Sequence, residues 1–303
     1  MNAADSVRST CPYCGVGCGV LLAPDSAGGL AVRGDPAHPA NFGRLCSKGS
    51  ALGETVGLGQ RLLAPRVAGQ ESDWDTALQH VADRFRDTIA RHGPDSVAFY
   101  VSGQLLTEDY YVANKLMKGF IGSANIDTNS RLCMASSVAG HKRAFGTDTV
   151  PGTFEDIDEA DLVVLVGSNL AWCHPVTYQR LLAARKARGT KVVVIDPRRT
   201  ASCDSADLHL ALEPGSDAAL FNHLLVQIAQ QAAVDAGFLS ATNGFDAALD
   251  AARRGDVAVT GLNAELIKEF CDLWIGTKRV VTIYSQGVNQ STSGTDKVNA
   301  ILN

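Results

Sequence analysis

Apolar residues fall into two textures along the chain. Through residue 60 they form short stretches such as Val20-Leu21-Leu22 and Leu30-Ala31-Val32, broken by Gly, Pro and Asp, which predicts small strands and turns. Beyond Pro65 the period lengthens. Ser72-Asp73-Trp74-Asp75 offers a helix cap, Ala77, Val81, Phe85 and Ile89 recur every four residues, and Gly93-Pro94 stops the run, so a helix is expected between them. A strand Val97-Ala98-Phe99-Tyr100-Val101 and a helix over 107–120 follow. The alternation continues with Leu162-Val163-Val164-Leu165-Val166, a helix over 176–188, Lys191-Val192-Val193-Val194-Ile195, a helix over 217–231 and Val280-Val281-Thr282-Ile283-Tyr284. Val-rich strands without a polar face belong in a parallel sheet covered on both sides by helices.

The carboxyl ends of these strands run into Ser102-Gly103-Gln104, Gly167-Ser168-Asn169, Asp196-Pro197-Arg198 and Ser285-Gln286-Gly287. Ligands of open α/β sheets sit at that edge. Small residues let a ligand approach the backbone, and Ser, Asn, Gln and Asp supply hydrogen bonds. Any one loop reads more readily as a plain turn; four in succession favour a nucleotide-like ligand. Neither G-x-G-x-x-G after a strand nor G-x-x-x-x-G-K-S/T occurs, so the NAD and P-loop fingerprints are absent.

With 303 residues, 46% hydrophobic and 19% charged, the chain is long enough for two or three structural units. A formal net charge of -5 argues against a polyanion-binding surface, so no nucleic-acid partner is expected. No apolar run approaches the roughly 20 residues that span a bilayer. The N-terminus Met1-Asn2-Ala3-Ala4-Asp5-Ser6 lacks a basic segment followed by an apolar one. The expectation is a cytoplasmic protein with no membrane partner.

Four of the eight cysteines crowd into the first 46 residues; Cys133, Cys173, Cys203 and Cys271 are scattered singly. Clustered cysteines in a reducing compartment more often hold metal than disulfides. Cys11-Pro12-Tyr13-Cys14-Gly15-Val16-Gly17-Cys18, with Cys46 after 27 intervening residues, is a three-plus-one set. Three close thiolates can wrap three corners of a cubane, and a remote fourth closes it. Gly15, Gly17 and Gly19 suit a loop that needs positive φ. A structural zinc site is the alternative, but such sites usually present two ligand pairs. Lys48 reads either as an ordinary exposed lysine or as a charge between a cluster and a neighbouring cofactor. A lone cysteine is by default a small buried hydrophobe, the reading for Cys173, Cys203 and Cys271. For Cys133, nearby Arg131 and a helix expected to begin just after it favour a thiolate, the form that binds soft metals.

Together these residues resemble the prokaryotic molybdopterin oxidoreductases of the dimethyl sulfoxide reductase superfamily. Within it they are most similar to the catalytic subunits of cytoplasmic assimilatory nitrate reductases. The likeness runs from Thr10 to Asn303 and is carried by residues 10–20, Arg44-Leu45-Cys46-Ser47-Lys48-Gly49, 130–146, 166–175 and 284–299. It implies an α/β chain in which a small N-terminal iron-sulfur domain precedes parallel-sheet, Rossmann-like units. The expected boundaries are 1–60 for the 4Fe-4S domain, 61–135 for the first part of an α/β domain, and 136–303 for a truncated, Rossmann-like molybdopterin-dinucleotide-binding domain. The implied cofactors are a 4Fe-4S cluster on Cys11, Cys14, Cys18 and Cys46, and a Mo-bis(molybdopterin guanine dinucleotide) centre. Cys133 matches the thiolate ligand of molybdenum, and Lys48 the lysine between cluster and pterin. Gln104, Asn129, Gly167, Ser168, Asn169, Asp196, Pro197, Arg198, Gly215, Ser216, Asp217, Gln286 and Gln290 match cofactor-contacting positions, largely on the strand-end loops.

The resemblance implies reduction of nitrate to nitrite for nitrate assimilation, with electrons from a donor protein or reductase subunit passing through the cluster and past Lys48. Formate dehydrogenases of the superfamily typically carry a histidine directly after the metal ligand; Met134 stands there and favours nitrate reductase. The lack of a twin-arginine leader favours the cytoplasmic form over the periplasmic one. The other alternative is a molybdenum-free electron-transfer or scaffold subunit like the related component of respiratory complex I, against which Cys133 and the cofactor-loop residues speak. His141 and His174 are expected to be structural or to lie behind the metal-contacting groups. The family's catalytic subunits are considerably longer, so the chain reads as an N-terminal fragment.

Overall fold

The computed structural model describes residues 6–26, 28–59 and 61–303. They form two compact units, one made of the residues through Val56 together with Ser136–Asn303, the other Gly57–Ala135.

The first unit begins with β1 (Val7–Thr10), β2 (Gly19–Pro24) and β3 (Leu30–Gly34), an antiparallel sheet in that order. Thr10 lies opposite Gly19, and the Cys11 N–H donates to the Cys18 carbonyl at 2.8 Å. Residues 11–18 are thereby closed into a loop at the end of the sheet. Val16, Val20 and Ala40 form its core with Cys11 and Cys18, and Val176 packs into the same cluster.

The second unit carries the hairpin β4 (Arg66–Val67) and β5 (Gln70–Glu71) and the helix Trp74–His92. Asp73 caps that helix by accepting the Thr76 N–H, and Gly93 ends it at φ 84°, as the pattern predicts. β6 (Phe99–Val101) and β7 (Ile126–Thr128) pair in parallel, with Val101 opposite Thr128. The helix expected over 107–120 divides: α-helical turns at Thr107–Asn114 widen into a π-helix at Lys115–Ile121. Met117 is fully buried there, and its carbonyl accepts both the Gly122 and the Ser123 N–H. Those bonds span more than an α-turn and so favour the wider helix.

The first unit continues with β8 (Leu162–Val166), β9 (Lys191–Ile195), β10 (Leu208–Leu210) and β11 (Val280–Tyr284), all parallel in the order β10-β9-β8-β11. Every residue of β8 is buried. Leu162, Val164 and Val166 face Leu220, Phe221, Ile267, Phe270 and Val298 from the helices Asp217–Gln230, Ala264–Gly276 and Gly294–Leu302. Val163 and Leu165 face Ile157 and Leu181 from the helices Phe154–Glu159 and Pro175–Arg188. Each such side chain contributes about 1.5–3 kcal/mol by leaving water, which is why strands 162–166, 191–195 and 280–284 match the sequence reading residue for residue. β6 lies outside this sheet, so the strand-end loops are divided between two units. The chain passes from β8 to β9 and β10, then returns to place β11 on the other side of β8. The reversal falls between β8 and β11, the switch point at which ligands of such sheets bind.

Arg180 ties the N-terminal part of the first unit to the helix that bears it. Its side chain is only 3% exposed. Nε donates to Asp158 at 2.8 Å, an Nη donates to the Pro39 carbonyl at 2.9 Å, and the guanidinium lies 5.2 Å from the ring centroid of Phe42. Phe42 adopts a left-handed φ of 44°, a conformation that surrounding contacts must impose. Arg180→Met keeps the stem and removes the donors. It should destabilise the unit by about 1–3 kcal/mol and accelerate cleavage over 36–46 in limited proteolysis; unchanged melting and cleavage would contradict this role.

Candidate functional site

Cys11, Cys14, Cys18 and Cys46 line one pocket together with Lys48, Cys173, Pro175 and Val176. Cys11 and Cys18 are buried, Cys14 and Cys46 half-buried. The 11–18 loop turns at Gly17, whose φ of 66° suits glycine and whose N–H donates to the Cys14 carbonyl at 3.3 Å. Gly15 and Gly19 do not use positive φ. Gly19 serves close approach instead, since a Cβ there would fall 2.4 Å from the His38 side chain. Cys46 stands at the start of the short helix Ser47–Ser50, which carries Lys48, with Nζ 5.9 Å from the Tyr13 ring centroid.

Burial, then the neighbouring Cys14, Cys11 and Cys46, push the Cys18 thiol up to about 11. Four thiolates crowded here would repel, so a cationic guest is needed to hold them ionised. Among the described residues no three Cys, His, Asp or Glu side chains form a group for a single metal ion. Four thiols that line one pocket without forming a single-ion group match a polynuclear guest better than one zinc, whose ligands converge at about 2.3 Å. Cys203 and Cys271 are buried as expected, but Cys173 is exposed and belongs to the pocket wall. The segment Leu170–Cys173 is a short helix that ends just before Pro175 opens the next, and this leaves the thiol outside the core. His174, at that junction, is half-buried, and burial holds it below the usual imidazole range.

Three strand-end loops and one turn gather at the carboxyl edge of the β10-β9-β8-β11 sheet. Gly167 and Gly287 meet backbone to backbone at the switch point, where the Gly287 N–H donates to the Gly167 carbonyl at 3.1 Å. A Cβ on Gly167, already at φ 53°, would lie 2.9 Å from Gly287. Ser168 is buried and 3.1 Å from Ser285 through their hydroxyls. Asn169 accepts from the Ser202 hydroxyl at 3.2 Å, and Ser202 accepts the Ala171 N–H at 3.1 Å. Asp196 is buried and accepts the Arg198 N–H at 2.9 Å, which fixes the turn through Pro197. Ser216 donates to the Glu213 carbonyl at 2.6 Å, closing the turn that begins at Gly215. Gln286 and Gln290 bracket the short helix after β11, the Gln290 N–H donating to the Gln286 carbonyl at 3.0 Å.

In the second unit, Asn129 follows β7 and accepts the Gly103 N–H at 2.5 Å, joining it to the loop that carries Gln104. Cys133 is exposed. The helix Ser130–Phe145 begins before Cys133, not after it, because the Cys133 N–H already donates to the Asn129 carbonyl at 3.1 Å. Cys133 therefore lies in the positive first turn of the helix. The Arg131 side chain lies outside the described residues. His141 is buried in the first unit, with Nδ1 2.9 Å from the Ser137 carbonyl and 3.3 Å from the Tyr284 hydroxyl.

The profile of the molybdopterin oxidoreductase family matches residues 61–303, and that of the molybdopterin oxidoreductase Fe4S4 domain matches residues 4–57. The chain belongs to the molybdopterin oxidoreductase family. Among curated relatives of this oxidoreductase, a nitrate reductase of Klebsiella oxytoca is 57% identical over 98% of the chain and 34% of the relative. A subunit alpha of F420-dependent formate dehydrogenase from Methanocaldococcus jannaschii is 31% identical over 98% of the chain and 45% of the relative. The solved acetylene hydratase of Pelobacter acetylenicus superposes on 97% of the chain and 42% of its own length with a TM-score of 0.84 at 23% identity, which establishes the shared fold. The molybdopterin oxidoreductase chain thus spans between a third and just under half of the curated relatives named.

Sequence reasoning missed Asn41, Arg180, Ser202 and Lys297. Only Asn41 gave a local signal, as a turn-forming residue between Pro39 and Gly43. Lys297 is the least expected: its side chain is 5% exposed and ion-paired at 2.8 Å with Asp217, itself 10% exposed. Lys297→Met should therefore destabilise the first unit by about 3–5 kcal/mol by stranding the Asp217 charge. Adding Asp217→Asn should restore part of the loss in denaturant titrations; additive losses would contradict the pairing.

Proposed function

We propose that the protein containing this chain reduces nitrate to nitrite. The observation that carries the reading is the high identity to a nitrate reductase across nearly the whole chain. The same fold also houses an acetylene hydratase, so fold alone does not choose the reaction. Met134, directly after Cys133, supports nitrate over formate. Formate oxidation is the second reading, favoured by the formate dehydrogenase relative.

In this proposal Cys11, Cys14, Cys18 and Cys46 hold a 4Fe-4S cluster in their shared pocket. The donor set fits, since four thiols stand on one wall. Lys48 places a positive charge beside that wall, where it offsets the charge of an anionic group and favours electron entry. Cys133 supplies a thiolate to molybdenum, and the first turn of its helix stabilises that anion. Gln104, Asn129, residues 167–169, 196–198 and 215–217, Gln286 and Gln290 are the cofactor-contacting residues of this reading. Glycines at 167 and 287 let two of these loops cross in direct backbone contact, and the buried Asp196, Ser168 and Asp217 hold their turns rigid for the ligand. When bound, the molybdenum centre supplies two-electron oxygen-atom transfer, and the cluster relays electrons singly. Electrons come from a donor protein or reductase subunit. The domain boundaries 1–60, 61–135 and 136–303 belong to the same reading. So does a cytoplasmic location.

The test uses the full-length protein with an artificial reductant. Nitrate reduction without formate oxidation is expected; formate oxidation without nitrate reduction would move the protein to the second reading. Cys133→Ala should keep its iron and lose nitrate reduction by more than about a hundredfold, beyond the 10–100-fold typical of removing a residue behind the metal. Full activity in that variant would remove Cys133 from the site.

A further inference from the structure

We infer that Asn41 is a positioning residue for the four-cysteine site, joining the segments that carry Cys18 and Cys46. The inference rests on the cluster reading above. Asn41 is fully buried, and its carboxamide bonds in three directions. Oδ1 accepts the Gly19 N–H at 2.9 Å, and Nδ2 donates to the Gly19 carbonyl at 3.0 Å and to the Arg44 carbonyl at 2.8 Å. Gly19 directly follows Cys18, and Arg44 stands two residues before Cys46. The Cys11 N–H reaches the Cys18 carbonyl, so the same tie extends to the first ligand.

The chemistry demands asparagine. One end of the side chain must accept and the other must donate twice, and the shape must pair with both the N–H and the C=O of a single residue, Gly19, as a neighbouring strand would. Aspartate has the shape but turns an acceptor toward two carbonyl oxygens; alanine leaves all three bonds unmade in a buried place. The remote ligand arrives after a 27-residue excursion, whose closure is entropically unfavourable. Making that closure in the protein itself removes the cost from the moment of cluster binding. A turn-forming Asn41 with no part in the site would affect stability alone, so the decisive readout is the hold on iron.

In the full-length protein, the rate of iron loss to a chelator under anaerobic conditions should rise at least about tenfold in Asn41→Asp and Asn41→Ala, as when a residue behind a metal is removed. The electron paramagnetic resonance signal of the reduced cluster should change with it. Thr190→Val deletes a buried hydroxyl bond to the Ala160 carbonyl elsewhere in the same unit and should lose iron at the parental rate. If the two Asn41 variants do not accumulate in soluble form, Asn41→Ser, with one donor and one acceptor at shorter reach, is measured on the same scale. Parental iron loss and an unchanged signal in the Asn41 variants would overturn this assignment alone. A parental protein that takes up no iron on anaerobic reconstitution would overturn the cluster reading itself.

Discussion

Four thiols line one pocket although 27 residues intervene between the third and the fourth, and much of the N-terminal architecture answers that requirement. The antiparallel sheet holds the 11–18 loop by its two ends, with Thr10 opposite Gly19. Asn41 joins that loop to the segment entering Cys46. Arg180 then fixes the intervening 39–42 stretch through the Pro39 carbonyl and the Phe42 ring. The Asn41 and Arg180 side chains are themselves buried, where a hydrogen bond is costly to leave unmade. Rigidity at the pocket thus comes from polar groups placed where apolar packing alone would leave the excursion loose.

The parallel sheet meets a different requirement, that of exposing backbone to a ligand without exposing the core. β8 is sealed on both faces, which leaves its carboxyl edge as the place where backbone is accessible. There Gly167 and Gly287 cross so closely that neither accepts a Cβ, and buried Ser168, Ser202 and Asp217 carry the polar contacts that shape the loops. The Asp217–Lys297 pair links the turn at 215–217 to the helix Gly294–Leu302. Its desolvation makes it sensitive to removal of one partner.

What the sequence disclosed follows from how local each cause is. Val-rich strands packed by helices on both faces leave no choice of period, and the buried β8 and β9 and the half-buried β11 were legible to the residue. The four N-terminal cysteines declared themselves by residue type and spacing. β10, only Leu208–Leu210, was too short to stand out, and the helices Phe245–Arg253 and Ala264–Gly276 were not read. The helix bearing Cys133 starts earlier than expected because Asn129 already accepts its first turn's N–H. Cys173 was misread because a lone cysteine is usually core, and only the break before Pro175 brings its thiol to the pocket wall. Asn41, Arg180 and Lys297 act through partners 22, 141 and 80 positions away, counting from Gly19, Pro39 and Asp217. No local pattern encodes such pairings.

The central claim is that the cysteine pocket feeds electrons to a metal centre that consumes nitrate. The most direct measurement is metal analysis of the full-length protein combined with electron paramagnetic resonance of its chemically reduced form, before and after nitrate. The account predicts at least about four iron atoms and one molybdenum per chain and a reduced cluster signal that nitrate abolishes. Iron without molybdenum, or a cluster that stays reduced in the presence of nitrate, would contradict it.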